Sequence, residues 1–204
     1  MKRVLPIVPT LLLAFASLSA SAQNLTASAQ STTFNMVQSA GALAGNCIPN
    51  AKGRVTINSL GNVEVMHLEA TGLPPNTGFD AFVTQLPNAP FGLSWYQGDL
   101  TTDASGKGVA DFIGRFSIET FIVAPGSGSA PVVHSQPIPD ANVNPATGPV
   151  HTFHVGLWFG SSAAASAAGC PATVTPFNGN HTAGIQALST RNFPDLSGPL
   201  KKIQ

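Results

Sequence analysis

Polar and apolar positions alternate in short runs along this chain, and turn residues separate the runs at the spacing of a β-sandwich. In Arg54-Val55-Thr56-Ile57-Asn58 the apolar side chains fall on every second position, predicting a strand with Val55 and Ile57 inward. Asn62–Ala70 predicts the next strand. Its apolar set changes phase between Val65 and Met66, which predicts a bulge or burial on both faces. Strands at Asp80–Val83, Trp95–Thr102 and Val109–Phe116 follow. The last places Ala110, Phe112, Gly114 and Phe116 on one face and Asp111 and Arg115 on the other, where they could pair. Asp103-Ala104-Ser105-Gly106-Lys107-Gly108 between them reads as a tight hairpin, with glycines for positive φ.

Ile118–Ala124 is apolar almost throughout and predicts a central strand. Val150–Phe159 predicts one strong strand and Ala183–Thr190 the last, with a small-residue loop over Gly160–Gly169. No segment carries a convincing helical period. The predicted fold class is all-β, a single antiparallel sandwich of about eight strands with long loops. Residues 1–22 read as a signal peptide, 23–40 as a poorly ordered lead-in with room for a short strand at Thr33–Val37, and 41–204 as the domain. The stretch 125–149 holds six prolines and is the longest predicted loop.

The turn Leu73-Pro74-Pro75-Asn76-Thr77-Gly78-Phe79 resembles the corner before the sixth strand of fibronectin type III and related immunoglobulin-like domains. In that family the pattern is Leu-x-Pro-x-Thr-x-Tyr, and Leu73, Pro75, Thr77 and Phe79 fill its positions. The resemblance implies an immunoglobulin-like sandwich and says nothing of activity. Phe79 keeps the ring but lacks the hydroxyl that bonds back to the corner in the family. The chain also continues for far more residues than the one remaining strand of that fold requires.

Lys2 and Arg3, the apolar run Leu11–Ala16 and Ala20-Ser21-Ala22 form the pattern of a cleaved export signal, which predicts a soluble protein that is secreted, periplasmic or extracellular. No later run is long enough to span a bilayer as a helix. Beyond residue 22 there are seven basic residues against nine acidic ones, too few cations for nucleic acid or an anionic membrane as partner. Charged residues make up 9% of the chain, against roughly a quarter in an average domain. In an oxidising compartment the two cysteines, Cys47 and Cys170, are expected to form one disulfide; free or metal-binding thiols are the alternative.

The candidate chemistry is scattered. Of five histidines, His151 and His154 lie three apart on a predicted strand and so face opposite sides; a zinc or copper site must join one of them to His134 or His181. Blue copper needs a late methionine, and none follows Cys170. Calcium would use Asp99 and Asp103, although Asp103 before Ala-Ser-Gly is also what a turn requires. Gly126-Ser127-Gly128-Ser129 has the wrong spacing for a nucleophile elbow. Glu64, Glu69, Glu119 and Asp111 are the strand-borne acids from which a glycosidase pair would be drawn. Phe91, Trp95 and Tyr96 beside one Pro/Gly loop, and Trp158 beside another, are candidate ligand-binding rings. The predicted role is a secreted non-catalytic module, structural, adhesive or ligand-binding, without a cofactor. Its predicted partner is a protein or polysaccharide at a cell surface or matrix, engaged through loops 87–98 and 125–149. The alternative is a metal-dependent protein or hydrolase using the loop histidines.

Overall fold

The structure is a computed structural model that describes residues 31–61, 63–116, 121–125, 147–175 and 180–203. In chain order its strands are β1 (Ser31–Gln38), β2 (Lys52–Ser59), β3 (Glu64–Thr71), β4 (Gly78–Thr84), β5 (Ser94–Thr101), β6 (Gly108–Gly114), β7 (Phe121–Pro125), β8 (Thr147–His151), β9 (His154–Phe159) and β10 (Gln186–Ser189). Eight form one antiparallel sheet in the order β5-β4-β9-β10-β1-β2-β3-β6, and β7 and β8 pair separately. The two edge strands are consecutive. The turn after β5 carries Thr102 into a bridge with Gly108, which brings the edges together and nearly closes the sheet into a barrel. The strands then part, and the Phe112 ring fills the seam. A Cβ at Gly98 would lie 2.8 Å from its Cε1, so only glycine admits the ring there. An all-β fold is therefore present, but its sheet curls round on itself and is not clearly two packed layers.

Period-2 burial decides which face turns in. Met36, Val55, Ile57, Met66, Leu68, Phe79, Leu100, Leu157 and Leu188 are all buried in one core. The phase change at Val65 is not a bulge: β2 and β3 stay in register from Lys52↔Thr71 to Ser59↔Glu64. Glu64 continues the inward set and Val65 faces out, opposite the exposed Ile113. Glu64 tolerates burial because it accepts the Phe116 N–H and lies 3.5 Å from Arg115, the partner that sequence had assigned to Asp111.

Strand β1 contains the short strand expected at Thr33–Val37 and is longer at both ends. It pairs with β2 over Ser31–Met36 and with β10 at Val37 and Gln38. It thereby joins the two halves of the sheet. The segment read as one strand over Val150–Phe159 is two, broken at Thr152-Phe153, because β8 pairs with β7 while β9 lies between β4 and β10. No turn residue separates the two segments in the sequence, so nothing local marks the change of partner. For the same reason β7 belongs to the small hairpin and is not central.

The corner at Leu73–Phe79 docks on the β5–β6 turn. Thr102, buried, donates to the Pro74 carbonyl at 2.6 Å and accepts the Thr77 N–H at 2.9 Å. Thr102 thus ties the corner to the neighbouring hairpin. Gly106 has φ +77°, and a Cβ there would stand 2.1 Å from the Leu73 carbonyl oxygen. Phe79 itself packs against Phe159, ring centroids 4.9 Å apart.

Two short helices escaped the period reading because each is a turn or two of small residues: α1 (Ala40–Ala44) and α2 (Ser162–Ala167). Ser39 and Ser161 cap them by accepting from Ala42 and Ala164. Just beyond each helix, a cysteine N–H donates back to a buried alanine carbonyl, Cys47 to Ala42 and Cys170 to Ala165. The two ends meet in the Cys47–Cys170 disulfide, which clips α1 to α2. Among the described residues no helix is long and apolar enough to cross a membrane.

Candidate functional site

The four candidate rings do not share one surface. On the face of β4 and β9 away from the barrel interior, Phe82 and Trp158 are buried and meet edge to face at 5.4 Å. Phe91, half-buried, lies 5.0 Å from Trp158. Trp158 is therefore a support, out of reach of a ligand. The chain of rings continues from Phe82 to Tyr96 at 5.5 Å, and Tyr96 is 46% exposed. Its hydroxyl donates to Asp99 at 2.7 Å. That bond, then partial burial and the charges of Asp99 and Asp80, push the Tyr96 phenol up to about 12. Trp95 points to the other side of edge strand β5, as alternation requires, and is 61% exposed. Two rings of the four are thus presented to solvent, back to back on one strand.

The histidines are not gathered either. His154 is fully buried, with Nε2 2.9 Å from the Asp195 carbonyl and Nδ1 2.9 Å from the Thr190 hydroxyl. A neutral ring satisfies both contacts by donating from Nε2 and accepting at Nδ1, which leaves no lone pair for a metal. Burial, outweighing the nearby carbonyls and Asp195, lowers its pKa from the ordinary 6.5. The unfolded state then takes up a proton that the native state refuses. Stability should be full above about pH 6.5 and fall as pH drops through the lowered value. Urea midpoints measured at about pH 7 and pH 5 should show that loss, and His154→Gln should remove the slope. An equal slope in the variant would place the effect elsewhere.

His151 stacks on Phe153 at 5.3 Å, and His181 is exposed with φ 54°. His134, Glu119 and Gly126–Ser129 lie outside the described residues. Among the described residues no three His, Cys, Asp or Glu side chains gather to hold an ion. Asp103 is occupied as a turn residue: its Oδ1 accepts from the Ser105 N–H and hydroxyl and the Lys107 N–H. Those bonds, the Ser105 hydroxyl first, hold its carboxyl below the usual range. Asp99 is occupied by Tyr96.

Sequence reasoning passed over two features of the outer face of β2, β3 and β6. His67, set beside Asp111 by register, bonds it at 2.6 Å and lies 3.8 Å from Glu69, which in turn is 3.7 Å from Lys107. Lys52 and Arg54 project from the same face of β2 next to Arg191, around a groove of about 600 Å³. The Lys-x-Arg alternation was legible in the sequence; the arrival of Arg191 was not.

No protein-family model matches the chain, and no curated protein matches it significantly.

Proposed function

We propose that this chain is a secreted, non-catalytic binding module that presents a ligand-stacking ring on the edge of its barrel, related in architecture to the immunoglobulin-like sandwiches. The observation that carries the binding role is Trp95: a large ring, 61% exposed, on edge strand β5, where its next residue is anchored by Asp99 and Phe82. An ordered exposed ring suits stacking on a sugar face or an apolar peptide side chain. The corner at Leu73–Phe79 supports the architectural kinship. The disulfide supports an oxidising, extracytoplasmic setting.

The ligand surface is best tested with polysaccharides. The purified protein is incubated with insoluble cellulose, chitin and starch, and the fraction depleted from solution is measured. At least one should retain it, and Trp95→Ala should weaken that binding about tenfold, the value of one good ring contact. The variant should melt with the wild type, since Trp95 is outside the core. Unchanged retention by Trp95→Ala would remove this edge as the site.

A further inference from the structure

A second surface stands apart from the aromatic edge. Where β1 leaves β2 to pair with β10, the lining of an open groove of about 600 Å³ includes Asn35, Lys52, Arg54, Glu69, Thr71 and Arg191. Seven cationic side chains follow residue 22, and four of them are engaged within the fold. Lys107 and Arg115 lie near Glu69 and Glu64, and Lys201 and Lys202 lie over the Phe153 and Phe193 rings. The other three all line the groove. Lys52 and Arg54 are exposed, and neither side chain has an acid or hydrogen-bond acceptor among the described residues. Arg191 spends only its Nε, on the Gln38 carbonyl at 2.7 Å, which fixes the guanidinium plane and leaves its terminal nitrogens to the groove. Glu69, although opposite Arg54 in the register, lies within ion-pair distance of Lys107 and His67 instead.

Beyond residue 22, where acids outnumber bases nine to seven, three cations outside any ion pair share one concavity with a single acid, Glu69, and form an anion-binding surface. Lys52 and Arg54, two residues apart on one face of a strand, are about 7 Å apart along it, too far for one acid group to satisfy both closely. A ligand carrying successive acid groups fits that spacing. The neutral neighbours Asn35 and Thr71 offer an amide and a hydroxyl suited to sugar hydroxyls. We propose that this groove binds an acidic polysaccharide, its carboxylate or sulfate groups held by Lys52, Arg54 and Arg191. Duplex nucleic acid is the poorer fit, since it draws on many clustered cations.

The test uses polygalacturonate for carboxylate, dextran sulfate for sulfate and uncharged dextran as the neutral control, each titrated by interferometry at about 0.02 M salt, below the strongly screened range. One or both acidic polymers should bind, more weakly as salt rises, and dextran should not. Lys52→Gln with Arg54→Gln should weaken binding at least tenfold. Lys201→Gln with Lys202→Gln, an identical change in net charge elsewhere, should leave it within twofold. Both pairs are exposed, and matched melting curves confirm that each folds. Overturning results are absence of binding by either acidic polymer, equal losses in the two double variants, or tighter binding of duplex DNA than of both polymers. Trp95→Ala should not change binding here, which separates this groove from the aromatic edge.

Discussion

Replacing Cys47 and Cys170 together by alanine is expected to remove up to about 4–5 kcal/mol of stability, the chain-entropy value for a loop of this size. The cysteines are 123 residues apart, so the crosslink restrains most of the described fold in the denatured state. A loss of that size corresponds to a fall in melting temperature of roughly 10–15 °C for a chain of this length. Melting the wild type with and without reductant, beside the double variant, measures it. Coincident melting curves for all three would mean that the crosslink restrains little, and that α1 and α2 hold their places without it.

The second large effect is expected at Trp158. Truncation to alanine leaves a cavity under Phe82 and Phe91 and should cost about 3–5 kcal/mol. Gly156 belongs to the same packing unit: a Cβ there would stand 2.3 Å from the indole Cζ3. The protein contains two tryptophans, so fluorescence separates the roles. Trp158→Ala should leave only the solvent-exposed emission of Trp95, and Trp95→Ala only the shielded emission of Trp158. Denaturant midpoints should fall steeply in the first variant and hold in the second. A stable Trp158→Ala protein would show that the outer rings, Phe82 and Phe91, collapse into the space.

Several elements were legible because one local signal sufficed. The alternation in Arg54–Asn58, the hairpin at Asp103–Gly108 and the inward set Ala110, Phe112 and Phe116 depend on period and turn chemistry alone. All lie where they were expected. The cysteine pairing followed from there being two cysteines and one sensible bond. The strand interior of β3 was misread because an outward Val65 paired with Ile113 resembles a phase error, and only the partner strand shows that it is a cross-strand pair.

The chain's own sequence determined the β class, the turn positions, the crosslink and the identity of the large rings, since these depend on residue type and near neighbours. Tertiary structure decided what each could do. It buried Trp158 and exposed Trp95, both strand tryptophans, because exposure depends on what covers a face and not on the residue. It occupied both nitrogens of His154 with groups from residues 190 and 195. It set Arg191 beside Lys52 and Arg54, more than a hundred residues away in the chain, because β1 pairs with β2 on one side and β10 on the other. Long-range pairing of that kind leaves no local period, and both candidate surfaces depend on it.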